Sequence, residues 1–418
     1  MEYRLFEDAG WRRLQPFTWM RPVYELRVGA WTLRERWQRL LGRENLGFAA
    51  RPDLHDLISE RYGERAGEQR PEADLILING CWLPEADAAS LEKSFDLLKA
   101  GQGYIDDDRI LAIRPAPPVS QKALGEMQAI LCEGERPKGI DWLDFPKRQK
   151  CLGHLWELVG WTEELLESDL AKRLGTPYGE DVIVKGEIEE PDRVSLGAGV
   201  VVRRGALLDA SEGPIVLEAG CRVAPMTWVK GPVWAGPGCL LLGERIGGGV
   251  VLGPECRVHG EIDSTVVLGY SNKAHEGFVG HSYLGEWVNL GALTTTSDLK
   301  NNYGDVRLME EGRAVSSGRI KLGSFLGDHT KTAIGTLLTT GCVTGVASQL
   351  FGRPGLTPKW IPSFAWGTES GGKRFELERF LATAEIILSR RGQELRPILR
   401  QRLRYVYEET LRVERGSI

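Results

Sequence analysis

The stretch Leu217-Glu-Ala-Gly-Cys-Arg-Val-Ala-Pro-Met-Thr-Trp-Val-Lys-Gly-Pro-Val-Trp-Ala-Gly-Pro-Gly-Cys-Leu-Leu241 decides the fold. Its apolar or small residues Leu217, Val223, Val229, Ala235 and Leu241 recur every six positions. A helix repeats its face every 3.6 residues and a simple strand every second residue, so neither produces this period. Short strands joined by tight corners do. Three of them per coil enclose a narrow prism, with the apolar residue pointing inward and a small residue serving the corner. The same spacing is read at Leu284 and Leu290, and again at Ile334, Thr340 and Val346. A small residue often follows, as at Gly197, Ala224, Gly236, Gly253, Gly285, Gly291, Gly323, Gly335 and Ala347. Glycine there supplies a positive φ or a close approach of backbones. The pattern predicts a parallel β-helix over residues 181–370; its hand does not follow from the spacing.

The period fails between Thr295 and Ile320, so residues 296–319 must leave the prism as a loop. Such loops are where chemistry is commonly mounted. Beyond it, residues 371–418 read as helices, with Leu377, Phe380, Leu381, Ala384 and Leu388 on one face, then Leu395, Ile398, Leu399 and Val406. Upstream, residues 1–118 mix the strand-like run Leu75-Ile-Leu-Ile78 with the amphipathic run Ser90 to Lys99. They read as an α/β domain closed by Arg114-Pro-Ala-Pro-Pro118. Residues 119–180 read as a helical connector.

A chain of 418 residues holds two or three such domains. The net charge of −5 argues against a nucleic-acid partner. Seven scattered cysteines without a CxxC pair predict reduced thiols, with neither a disulfide frame nor a metal site. The first residues, Met1-Glu-Tyr-Arg-Leu-Phe6, contain no apolar signal-like run, and no apolar segment is long enough to span a bilayer. The expectation is a cytoplasmic protein with no membrane partner.

Two segments, Ser271-Asn-Lys-Ala-His-Glu-Gly-Phe-Val-Gly280 and Leu284-Gly-Glu-Trp-Val-Asn-Leu-Gly-Ala292, carry a resemblance. They resemble the acetyltransferase half of the bifunctional N-acetylglucosamine-1-phosphate uridylyltransferase/glucosamine-1-phosphate acetyltransferase family. The run Ser316-Ser-Gly-Arg-Ile-Lys-Leu-Gly-Ser-Phe-Leu-Gly-Asp-His-Thr-Lys331 is similar to the archaeal branch of these enzymes. The start, Gln15-Pro-Phe-Thr-Trp-Met-Arg-Pro-Val-Tyr-Glu-Leu-Arg-Val-Gly29, resembles a bacterial sugar nucleotidyltransferase subgroup with the same three-part layout. The resemblance implies a left-handed β-helix and a reduced, nucleotidyltransferase-like N-terminal domain. It also implies a homotrimer whose acyl sites lie between neighbouring β-helices. Acetyl-CoA would be the donor and a sugar phosphate the acceptor, with Mg²⁺ needed only if the N-terminal domain is active.

Acyl transfer to an amino sugar needs a base for the amine proton and donors for the developing oxyanion. By its spacing to Asn289, His275 matches the family's catalytic base, with His281 and His329 as the other histidines to consider. The resemblance assigns Lys273, Asn289, Asp298, Asn301, Asn302, Tyr303 and Arg307 to the acceptor, Arg307 being suited to grip phosphate bidentately. It assigns Lys321, Asp328, His329, Lys331 and Ala347 to coenzyme A. Two positions depart from the family: Phe278 replaces a tyrosine, and Asp298 replaces an asparagine, setting an anion where a sugar phosphate would sit.

In the N-terminal domain a lone Gly10 follows the first strand, too little for a phosphate cradle, and the run Leu75-Ile-Leu-Ile-Asn79 resembles the family's metal-binding strand end, with Asn79-Gly80 where that resemblance implies an acidic ligand. Arg13, Arg21 and Arg27 are weak candidates for nucleotide phosphates. The sequence therefore predicts CoA-dependent acyl transfer to an amino sugar phosphate. The alternatives are an O-acyltransferase of another hexapeptide class, a sugar-1-phosphate nucleotidyltransferase only, and a non-catalytic sugar-nucleotide-binding scaffold.

Overall fold

A computed structural model describes residues 1–42, 46–63, 74–85, 87–175, 178–352, 355–368 and 373–416. The chain forms two compact units. The first comprises Met1–Leu26, Trp31–His154 and Arg396–Leu403; the second comprises Arg27–Ala30, Leu155–Leu395 and Arg404–Ile418. The boundary read at 370/371 falls among residues outside the described set.

The first unit is α/β. Its six-stranded mixed sheet runs Gly47–Ala49, Glu2–Phe6, Leu75–Asn79, Arg109–Arg114, Gln102–Asp106, Asp141–Asp144. Glu2–Phe6 pairs in parallel with both neighbours, while Arg109–Arg114 is antiparallel to both of its own. Leu75–Asn79 is buried throughout, as its unbroken apolar run requires of a central strand. Phe6, Leu77, Ile113, Leu124 and Leu131 form a core between sheet and helix Gln121–Cys132. The stretch 119–180 is not helical throughout. After that helix the chain adds Asp141–Asp144 to the sheet edge and pairs Lys150–Cys151 with Trp82–Leu83 before helix Leu155–Ala171 begins.

The second unit is a parallel β-solenoid of about ten coils. Face one stacks Ile183–Val184, Val201–Val202, Arg222–Val223, Leu240–Leu241, Arg257–Val258 and Asn272–Lys273. It continues through Asn289 to Lys331–Thr332, Gln349–Leu350 and Ala365–Trp366. Face two runs from Glu187–Glu189 to Phe278–Gly280, and face three is a nine-stranded parallel sheet from Val194–Leu196 to Trp360–Ile361. Leu217, Val223, Val229, Ala235 and Leu241 are all fully buried within one continuous core, as the period requires.

The period survives the insertion but its phase does not match the reading at Ile334, Thr340 and Val346. Ile334 is 77% exposed at a corner. The interior positions are Leu326, Thr332, Leu338, Thr344 and Leu350, the threonines being placed by register against Leu350 and Ile361. The sequence pattern was ambiguous here because corner and interior residues are both small or apolar.

The glycines after the interior residues serve close approach. At Gly253 a Cβ would lie 1.9 Å from the Leu268 carbonyl oxygen of the next coil. Left-handed corner positions are often held by larger residues instead, among them His281, Trp287, His329 and Ala347. The insertion leaves between faces two and three as a hairpin, Arg307–Glu310 against Arg313–Ser316, with Leu299 bridged to Lys321 at its base. Helix Leu377–Ser389, capped by Glu376, buries Phe380, Leu381, Ala384 and Leu388. Helix Pro397–Gly416 follows.

Interior and exterior of the solenoid separate energetically. Leu252→Ala, at a fully buried site, is expected to destabilise the protein by roughly 2–5 kcal/mol in chemical denaturation. Leu337→Ala, 42% exposed, is expected to stay within about 0.5 kcal/mol of wild type. Equal effects would contradict the register.

Candidate functional site

The candidate residues gather at three different corners of the solenoid. At the first, between faces one and two, His275 is exposed. Lys273 beside it occupies an interior column, in register with Val258 and Leu241, and its ammonium turns outward to the carbonyls of His259 (3.2 Å) and His275. Burial lowers the Lys273 ammonium to about 8, against the pull of Glu244 and Glu276. The Glu244 carboxyl is raised by its hydrogen bond to Glu276. Glu244, His259 and Glu276 are the one set of three His, Cys, Asp or Glu residues among the described residues whose ligand atoms all lie within 4.8 Å of one another. The Lys273 ammonium already supplies a counter-charge to both carboxylates. Asn289 lies on face one, where its Oδ1 accepts from Asn272 Nδ2 at 3.3 Å.

The second corner, between faces two and three, holds His281, Asp298 and the insertion. His281 Nδ1 lies 2.7 Å from Asp298 Oδ2, and His281 Nε2 lies 3.8 Å from Glu163 Oε1 on helix Leu155–Ala171. Glu163 in turn pairs with Arg319 at 3.4 Å. Asp298 is thus paired with an imidazole rather than presented as a bare anion. The Phe278 ring and the Asp298 carboxylate both lie over Gly280, where a Cβ would sit 2.3 Å and 2.8 Å from them. Asn301, Asn302, Tyr303 and Arg307 are exposed along the insertion, and Lys321 is exposed at its base. Glu163 and Arg319 carry no motif that the sequence reading could use.

The third corner, between faces three and one, holds most of the coenzyme candidates. Asp328, His329 and Ala347 are 3%, 2% and 0% exposed. Asp328 accepts the Glu286 amide at 3.2 Å, and its carbonyl accepts the Ala347 amide at 2.7 Å. The His329 ring lies parallel to Trp287 and edge-on to Phe380, an aromatic stack that also includes Tyr270. Lys331, on the adjacent strand, donates to the Trp287 carbonyl, and burial pulls its ammonium down to about 7. Within one chain the structure does not bring the His275 corner, the insertion and these residues together.

The first unit contains a cavity of about 430 Å³ at the end of strand Glu2–Phe6, lined by Asp8, Gly10, Arg13, Asp106, Arg109 and Arg148 among others. Arg13 faces this cavity. Arg21 is buried, its guanidinium reaching the Phe17 carbonyl at 3.5 Å, and Arg27 belongs to the second unit, stacked on Trp234. Of the three candidate arginines, Arg13 alone lines this cavity. The position where the resemblance places a metal ligand, at the end of strand Leu75–Asn79, does not fit Mg²⁺. Asn79 Nδ2 donates to Asp8 (2.8 Å) and to the Ile110 carbonyl (2.7 Å), and its Oδ1 accepts the Cys81 amide (2.9 Å). Asp8 is paired with Arg109 at 3.3 Å and with the Gly10 amide. A neutral, fully bonded amide and a carboxylate already neutralised by a guanidinium leave little for a hard dication.

Residues 3–174 match a family model described as sugar nucleotidyl transferase. The chain is 33% identical over 91 residues to a bifunctional sugar-1-phosphate nucleotidylyltransferase/acetyltransferase of Sulfurisphaera tokodaii, covering 22% of this chain and 23% of that protein. It is 30% identical over 158 residues to the bifunctional protein GlmU of Azoarcus sp., covering 35% and 32%. It is 26% identical over 302 residues to the bifunctional protein GlmU of Methanocaldococcus jannaschii, covering 70% and 66%. That last match is longer than either compact unit and so reaches both. The chain spans from about a quarter to just under two thirds of the length of these relatives. The family resemblance read from the sequence is therefore borne out.

Lys331 makes stability depend on pH. An ordinary lysine keeps its proton to about 10.5, so between about 7 and 10.5 the unfolded chain binds a proton that the folded chain releases. Stability should rise with pH across that window by at most about 1.4 kcal/mol per unit, the burial penalty being fully present below it. Lys331→Met is expected to remove this contribution, so the stability difference between variant and wild type in urea should shrink from pH 7 to pH 9. A difference that is constant with pH would contradict the shift.

Proposed function

We propose that this chain is a transferase of the sugar-phosphate nucleotidyltransferase/acetyltransferase type, moving an acyl group, acetyl in the first instance, from coenzyme A to an amino sugar phosphate. The observation that carries the reading is a β-solenoid interrupted by one polar hairpin, with an exposed histidine at the adjacent corner and one coil away from Asn289. The relatives' names and the matched family point the same way.

In this reading His275 takes the amine proton as nitrogen attacks the thioester, which requires the solvent-accessible position that it has. Asn289 and the polar residues Asn301, Asn302, Tyr303 and Arg307 contact the acceptor, Arg307 gripping phosphate. Lys321 and the Asp328–Lys331 and Ala347 corner receive the coenzyme. Because these groups lie on three corners of one solenoid, the reading includes a homotrimer in which neighbouring chains complete each site. A cytoplasmic setting accords with seven cysteines that are all free thiols. Among the described residues no helix is long and apolar enough to cross a membrane.

The Asn79 and Asp8 arrangement favours a second reading for the first unit: it binds a sugar nucleotide without transferring nucleotidyl groups. Its cavity and Arg13 suit such a ligand better than the chemistry.

Thiol release from acetyl-CoA, followed with a panel of amino sugar 1-phosphates, tests the proposal. His275→Ala is expected to lower turnover at least about a hundredfold. Undiminished turnover would remove His275 as base. No turnover by wild type on any acceptor would favour the binding scaffold.

A further inference from the structure

The geometry points to His281 as a positioning residue that fixes the insertion against the solenoid and the helix beside it. The inference rests on the acyl-transfer reading only for what the insertion does, not for the contact itself. The imidazole, its side chain 11% exposed, spans two carboxylates: Nδ1 to Asp298 at 2.7 Å and Nε2 to Glu163 at 3.8 Å. Asp298 begins the first leg of the insertion and Arg319 ends the second, and Arg319 closes the circuit on Glu163 at 3.4 Å. Both legs are thereby tied to one ring through side chains far apart in the sequence.

The surrounding backbone is built for this arrangement. A Cβ at Gly160, on helix Leu155–Ala171, would lie 1.7 Å from the Arg319 guanidinium, and one at Gly280 would lie 2.8 Å from the Asp298 carboxylate. Each charged group thus crosses a position with no side chain. Backbone bonds join the same circuit: the amide of Leu322 donates to the Asp298 carbonyl at 2.7 Å, and that of Gly323 to the His281 carbonyl at 2.9 Å. The ring sets one nitrogen at hydrogen-bond distance from Asp298 and the other 3.8 Å from Glu163, a placement that no aliphatic side chain offers. Removing it would leave Asp298, 15% exposed, without its partner, a costly state for a shielded charge. The exposed Asn301, Asn302, Tyr303 and Arg307 lie along the insertion that this circuit holds, so their placement depends on it. His281 acts through the loop and touches no substrate itself.

The test uses the full-length protein and two readouts. In His281→Ala, backbone amide exchange across residues 299–318 is expected to speed up at least about tenfold while the coils stay protected. The KM for the amino sugar phosphate should rise about tenfold or more, with the KM for acetyl-CoA within about twofold. His281→Gln, which keeps a donor toward Asp298, should restore part of the loop's protection. Exchange over 299–318 unchanged in His281→Ala would overturn the inference. If His281→Ala does not fold, His281→Gln decides it, wild-type-like protection supporting the role and protection lost across all coils contradicting it. If wild type shows no acyl transfer, the exchange measurement still decides the latch, so the two failures are distinguishable.

Discussion

The solenoid's narrow interior is the constraint on which the rest depends. Each coil hydrogen-bonds to the coils above and below it through parallel ladders, and the columns between the faces admit a residue such as Val223, Val229 or Ala235 and little more. Polar groups therefore have only two places to go, the corners and the chain that leaves them. Lys273 illustrates the pressure: it takes an interior column position yet turns its ammonium out to corner carbonyls, and desolvation still pulls its proton affinity down. The insertion illustrates the other route, since a polar run of that length has no path through the prism.

This constraint organises the candidate chemistry. Faces supply rigidity and corners supply side chains, so function here is a matter of which corner carries which group. The first corner presents an exposed histidine beside one lysine and the two glutamates that face it. The second holds the insertion through a buried imidazole between carboxylates. The third is packed with aromatics and is closed within one chain. A site that needs more than one corner is best served by more than one copy, which is why a trimer belongs with the proposed activity.

The solenoid was legible because its period is unlike any other and repeats over many coils. Its phase after the insertion was not: with no internal marker, Ile334 and Leu338 are equally apolar, and only the ladder places Leu338 inside. The residues of the second corner were legible singly but not as a circuit. Asp298 read as an isolated anion because its partner His281 lies 17 positions away and Glu163 on a separate helix. In the first unit, Asn79 already suggested a missing metal ligand, and the structure adds that its neighbour Asp8 is committed to Arg109. Strand Asp141–Asp144 was hidden because it is a short edge strand in polar sequence, where propensity is weak.

The central proposal is that this solenoid serves a coenzyme A-dependent transferase, and calorimetric titration of the folded full-length protein with acetyl-CoA tests it most directly. The account predicts saturable binding, one molecule per chain, with Kd below about 1 mM, the ordinary range for an enzyme's substrate. No binding heat at any temperature tried, from protein whose circular dichroism shows an intact β-rich fold, would contradict it.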